Sequence, residues 1–130
     1  MSIALITGSA GLIGSQACDF FNKRGYRIIG IDNDMRSYFF GEDSSTKKSL
    51  DSIKFNINQY EHHNIDIRDY DKLRTIFLKH SSEIEIIIHT AAQPSHDKAA
   101  SIPFEDFETN ANGTLHLLEA VRQYNKDCIF

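Results

Sequence analysis

Residues 5–15 read Leu5-Ile6-Thr7-Gly8-Ser9-Ala10-Gly11-Leu12-Ile13-Gly14-Ser15, and this stretch decides the fold. The apolar run Ile3-Ala4-Leu5-Ile6 leads straight into glycines at 8, 11 and 14. A strand that turns sharply into a helix leaves unpaired N–H groups at the helix start. With the helix dipole behind them, those donors suit an anion such as a pyrophosphate. Gly8 would permit the tight turn, Gly11 a close approach of backbone to phosphate, and Gly14 close packing of helix on strand. The spacing is G-x-x-G-x-x-G, not G-x-G-x-x-G. A glycine triplet alone also occurs in turns that bind nothing. The weight here comes from its place between a strand and a helix.

Outward from this turn, strand and helix patterns alternate. Ser2–Thr7 is a continuous apolar strand of the kind buried on both faces of a parallel sheet. Leu12 to Arg24 reads as a helix with Ile13, Ala17, Phe20 and Phe21 inward, stopped by Gly25. Arg27–Ile31 is the second strand. Asn33–Ser52 is polar and reads as a long loop with one helical turn; so long a loop in a compact domain is usually functional. Tyr60–Ile65 is the third strand, Asp69–His80 a helix with Leu73, Ile76 and Phe77 on one face, and Glu83–His89 the fourth strand. Ala91–Ser101 is a loop or short helix, Phe104–Tyr124 a long helix, and Cys128–Phe130 the start of a fifth strand. The alternation predicts one α/β domain over 1–130, a Rossmann-type doubly wound parallel sheet of order 3-2-1-4-5 cut at its fifth strand. Its ligand crevice would lie at the carboxyl ends of strands one and four.

Composition narrows the function. The chain has 130 residues, 41% hydrophobic and 25% charged, with a net charge of −4. That is an ordinary soluble domain with no broad basic face for nucleic acid. No apolar run reaches membrane-spanning length, and no signal peptide is evident, so a cytoplasmic protein is expected. Cys18 and Cys128 read as reduced thiols. His62 and His63 resemble a metal pair only superficially, because neighbours on a strand point to opposite faces. No metal site is expected. His89 reads as a packed or capped histidine.

Asp32 lies at the tip of the second strand, where an acid binds the adenosine ribose of NAD and repels the 2′-phosphate of NADP. Arg36 qualifies that preference, because an arginine nearby would hold such a phosphate. Asp66 would accept from the adenine amino group with Ile67 packed on the ring, and Asp69 would cap the following helix.

Five stretches now occur in the order found in the extended short-chain dehydrogenases/reductases. They are Thr7–Gly14, Asp32-Asn33, Asp66-Ile67-Arg68-Asp69, His89-Thr90-Ala91-Ala92 and Asn110-Ala111-Asn112-Gly113-Thr114. The chain resembles the NAD-dependent nucleotide-sugar epimerases and dehydratases of that superfamily over its whole length. Asn33–Gly41 and Ala91–Asp97 resemble the CDP-paratose (CDP-tyvelose) 2-epimerases in particular. The resemblance implies NAD as cofactor, a CDP-sugar as substrate, and a sugar carbon oxidised and re-reduced in turn. It implies that Gly8, Gly11, Leu12, Ile13 and Gly14 meet the pyrophosphate, and that Asp32, Asn33, Arg36, Asp66 and Ile67 meet the adenosine. Ala91, Ala92 and Gln93 would line the nicotinamide side, with Asn110 behind it. Pro94, Ser95 and His96 would look toward the sugar. It also implies a homodimer through the helix 104–124, with Phe107, Leu115, Leu117, Leu118 and Val121 supplying the apolar surface.

The family's Tyr-x-x-x-Lys is absent. Four positions after Tyr26, Tyr38, Tyr60, Tyr70 and Tyr124 stand Gly30, Glu42, Asn64, Arg74 and Cys128. No catalytic residue is therefore assigned. The chain is expected to match the N-terminal part of a longer enzyme and to be inactive alone. The alternatives are an inactive module that senses NAD(H), or a piece of a sugar-nucleotide 4,6-dehydratase or reductase.

Overall fold

The computed structural model describes residues Met1–Phe130. β1 (Ile3–Thr7), β2 (Arg27–Ile31), β3 (Tyr60–His63) and β4 (Ile84–His89) form one parallel sheet of order β3-β2-β1-β4. Ile129 adds a single parallel bridge to Ile86 on the outer side of β4, where the fifth strand is expected. The predicted doubly wound order is thus present, with its fifth position marked by one bridge.

β1 is buried along its whole length, and its side chains alternate between two cores. Ile3 and Leu5 join Ile29, Ile31, Phe77 and Leu117 on one face. Ala4 and Ile6 join Cys18, Ile28, Ile53 and Ile57 on the other. The first layer is covered by α4 (Tyr70–His80) and α7 (Gly113–Tyr124), the second by α1 (Leu12–Asn22) and α3 (Lys47–Asn56). In the register, Thr7 stands opposite Ile31 on one side and His89 on the other. Gly8, Asp32 and Thr90 therefore follow three adjacent strand ends.

Several elements differ from the sequence reading. On α1 the sheet-facing residues are Gly14, Ala17, Cys18 and Phe21; Ile13 and Phe20 are exposed. The Arg24 guanidinium covers the Phe20 ring at 3.3 Å from its centroid, which shelters that apolar face without burying it in the core. The segment read as a loop over 33–52 holds α2 (Met35–Phe40), a 3₁₀ turn (Glu42–Ser44) and the start of α3. Ile53 and Ile57 supply the burial that makes α3 stable, and a helix stripe marked so sparsely is hard to see in sequence. The long helix over 104–124 is interrupted. α5 (His96–Ser101) and α6 (Pro103–Phe107) come first, and a π-helical turn over Glu108–Asn112 joins α6 to α7. Leu117, expected on the outer face of that helix, lies instead in the core. Asp69 caps α4 as expected, its Oδ1 accepting from Lys72 N–H at 3.1 Å.

Candidate functional site

A cavity of about 260 Å³ opens at the carboxyl ends of β1, β2 and β4, between the wall that follows β2 and the wall that follows β4. This is the point where the sheet order reverses, and such crevices collect ligands because two crossover connections diverge there.

Its floor is the first turn. Gly8 has φ +66°, and a Cβ there would lie 2.8 Å from Ala91 N, so both conformation and space demand glycine. The Gly8 N–H donates to Ile31 O at 2.8 Å, and Gly11 N–H returns to Gly8 O at 2.9 Å. α1 then starts at Leu12 with Gly11 as its cap and no side chain to satisfy its first donors. The N–H groups of Leu12, Ile13 and Gly14 find no partner in the chain. Leu12 and Ile13 are exposed and flank the opening.

Asp32 stands across the turn. Its Oδ2 accepts from Ala10 N–H at 3.0 Å and its Oδ1 from Asp34 N–H at 2.8 Å. Lone pairs remain on a carboxylate so held, and the group lines the cavity beside Asn33 and Arg36. The Arg36 guanidinium sits 5.6 Å from the centroid of the Phe40 ring. Asp66 and Ile67, which follow the edge strand β3, also line the cavity. Arg68 grips Asp66 through Nε at 3.0 Å and Nη2 at 2.7 Å. Burial alone would raise the Asp66 carboxyl; the Arg68 hydrogen bonds and charge outweigh it and hold it below the usual carboxylate range.

The opposite wall is Ala91, Ala92 and Pro94. It is tied to β1: Thr90 Oγ1 donates to Thr7 O at 2.7 Å, and Thr7 Oγ1 accepts from Ala91 N–H at 3.2 Å. Thr7 Oγ1 also meets His89 Nδ1 at 2.6 Å, while His89 Nε2 meets Thr114 Oγ1 at 3.0 Å. Thr114 donates its proton to Asn110 O at 2.6 Å, so it accepts from Nε2–H; Thr7 Oγ1 already accepts from the N–H groups of Thr90 and Ala91, so its own proton goes to Nδ1. His89 is therefore neutral with the proton on Nε2. Burial pushes its pKa down.

Five predicted residues lie outside the cavity lining. Gly14 acts by packing, because a Cβ there would fall 2.0 Å from Gly8 O. Gln93 is buried rather than lining: its Nε2 donates to Asp106 Oδ1 at 2.8 Å and to Ser95 O at 3.0 Å. Asn110 lies behind the wall and bonds both backbone groups of Gln93, accepting from its N–H at 2.8 Å and donating to its O at 2.9 Å. Ser95 caps α5, accepting from Lys98 N–H at 3.2 Å. The exposed His96 also stands apart from the lining.

The sequence reading singles out none of Phe39, Thr46 and Thr109, all on the lining, although it takes the stretch that holds the first two to be functional. The loop assignment hides Phe39. Thr109 sits in the π-helical turn, 6% exposed, and its Oγ1 has no hydrogen-bond partner. An unsatisfied buried hydroxyl costs about 1–3 kcal/mol.

Parallel sheet, glycine turn, strand-end acid and switch-point cavity together define a dinucleotide-binding domain of Rossmann type. The chain belongs to the GDP-mannose 4,6 dehydratase family, whose model matches residues 5–130. It is 32% identical to CDP-paratose 2-epimerase of Salmonella typhi over 126 residues, which is 95% of this chain and 34% of that protein. The UDP-glucose 4-epimerase of Thermotoga maritima, solved with UDP-glucose, superposes with a TM-score of 0.76 at 30% identity, over 94% of this chain and 34% of that one. The Thermus thermophilus UDP-glucose 4-epimerase complex with NAD gives 0.73 at 29% identity, over the same shares. The chain thus spans about a third of the length of the relatives it matches.

Proposed function

We propose that this chain binds NAD in the switch-point cavity and forms the cofactor-binding portion of a nucleotide-sugar epimerase. The observation that carries the reading is the pairing of free α1 donors on the cavity floor with the Asp32 carboxylate beside them at the end of β2. The cavity chemistry fits a dinucleotide. The N–H groups of Leu12 and Ile13 would hold the pyrophosphate. Asp32 would accept from the adenosine ribose, with Asn33 and Arg36 at its edge and Asp66 and Ile67 at the adenine. Ala91, Ala92 and Pro94 would flank the nicotinamide ring. Gly14, Gln93 and Asn110 would act by shaping these walls. Bound nicotinamide would supply a reversible hydride acceptor. This chain's own part is to hold and orient it, since no Tyr-x-x-x-Lys lies within the 130 residues.

The substrate of the whole protein is proposed to be a CDP-sugar, supported by the likeness to CDP-paratose 2-epimerase. A homodimer through 104–124 is supported by the exposed side chains of Phe104, Phe107, Leu115 and Leu118. Cytoplasmic residence is supported by the unpaired thiols of Cys18 and Cys128. No helix is long and apolar enough to cross a membrane.

Calorimetric titration with NAD and NADP tests the central claim. Binding of NAD in preference to NADP is expected. Binding of neither, or tighter binding of NADP, overturns it. The chain by itself is expected to give no epimerisation of CDP-paratose, and measurable turnover would contradict that.

A further inference from the structure

Asp34 is the one non-glycine residue with positive φ, at 55°. Side-chain-bearing residues occupy that region at a cost, which aspartate and asparagine tolerate best. What holds Asp34 there is visible. Its N–H donates to Asp32 Oδ1 at 2.8 Å. Its Oδ2 accepts from Ser45 Oγ at 2.6 Å, and its Oδ1 accepts from Thr46 N–H at 2.8 Å and Thr46 Oγ1 at 3.1 Å. One carboxylate thus fastens the two ends of a segment that contains α2 and the 3₁₀ turn. Between those ends lie Met35, Arg36, Phe39 and Phe40, the outer wall of the cavity. At the far side Tyr38 donates to Glu105 Oε1 at 3.3 Å, linking α2 to α6. Burial alone would raise the Asp34 carboxyl; the hydrogen bonds from Ser45 and Thr46 outweigh it and keep it below the usual range, so it remains a charged acceptor at neutral pH.

We propose that Asp34 is a positioning residue for the cofactor: its carboxylate clasps Ser45 and Thr46 so that 35–46 stands as a finished wall, and its left-handed turn aims an N–H that fixes Asp32. Asp34 need not touch a ligand atom. It spares the site the entropy of ordering a wall when ligand arrives, which otherwise subtracts from affinity. The proposal rests on the cofactor reading above and adds how the adenosine end of the site is built.

The test titrates ADP-ribose and NAD into the wild-type chain, Asp34→Gly, Asp34→Ala, Thr46→Val and the Asp34→Gly/Thr46→Val double variant. Hydrogen exchange at the Thr46 amide is followed in each without ligand. Glycine relaxes the left-handed backbone but removes the clasp. A clasp predicts that Asp34→Gly binds ADP-ribose about tenfold more weakly, as expected for lost hydrogen bonds to a charged group. It also predicts faster Thr46 exchange, and little further loss when Thr46→Val is added, because the two groups act as one. Wild-type affinity and wild-type Thr46 exchange in Asp34→Gly would overturn the positioning role while leaving the cofactor site standing. A wild-type chain that takes up neither ligand overturns the site itself, and the positioning role falls with it.

Discussion

The carbonyl oxygen of Gly8 stands 2.0 Å from the place a Cβ on Gly14 would occupy. Two glycines of the first turn thus interlock, one supplying the turn and the other the room for it. Gly14→Ala must push α1 away from the turn. A loss of about 1–3 kcal/mol in denaturant-unfolding free energy is expected from such overpacking. NAD binding, read by calorimetry, should weaken in parallel, because the same shift displaces the N–H groups of Leu12 and Ile13.

Asp32 offers a sharper variant. Its carboxylate already takes N–H bonds from Ala10 and Asp34, so Asp32→Asn would set an amide against one of those donors. NAD affinity should fall about tenfold or more, the scale of a hydrogen bond to a charged acceptor. The NAD-over-NADP ratio should shrink as well, since the charge that repels a 2′-phosphate is gone. Competition titrations with both cofactors measure the ratio directly.

His89 makes the fold sensitive to acid. Its folded pKa lies below the ordinary 6.5, while the unfolded ring titrates near that value. As pH falls through 6.5 the unfolded chain binds a proton that the folded chain refuses, so stability falls. The fall stops once pH passes below the folded pKa. Melting temperatures between about pH 8 and about pH 5 should show this decline for the wild type. Burial also depresses the His62 pKa and adds to it. His89→Gln should be less stable at about pH 8 and show a flatter profile. An unchanged slope would exclude His89 as a source.

The two leucines at 117 and 118 should behave oppositely. Leu117, on α7, is fully buried against the sheet, whereas Leu118 and Leu115 are 43% and 59% exposed. Leu117 therefore belongs to the core and cannot serve as a dimer contact, contrary to the sequence reading. Leu117→Ala should cost about 2–5 kcal/mol of stability. Leu115→Glu and Leu118→Glu should leave melting nearly unchanged but lower the mass seen by light scattering at high concentration. A monomer at every concentration in the wild type would refute association through this face.

Legibility in the sequence follows the strength of the local signal. β1 and the glycine turn are readable because burial on both faces and a change from strand to helix leave an unmistakable pattern in a dozen residues. Asp32 and Asp66 are readable by their places at strand ends, and Ala91 through the family resemblance of His89-Thr90-Ala91-Ala92. Asp34 and Thr46 are not, because their bond spans 12 positions and neither belongs to a periodic pattern. The family resemblance of Ala91–Asp97 points Gln93 into the cleft. Its side chain turns inward instead, because Asp106 and Ser95 offer it better partners than water. Counting Ile13 and Phe20 as core rotates the stripe on α1; one sits at the cavity mouth and the other beneath an arginine.

The π-helical turn at Glu108–Asn112 sets the angular phase of one helical run against the other. Such a turn holds an additional residue per winding, and in an α-helix one residue is about 100° of rotation. Upstream of it Asp106 must face Gln93; downstream Thr114 must meet His89 while Leu115 and Leu118 point outward. Deleting one residue from the turn would restore an unbroken helix of nearly the same composition. It would also rotate the two halves out of step, so that a run serving both the cavity wall and the outer surface would keep only one of them.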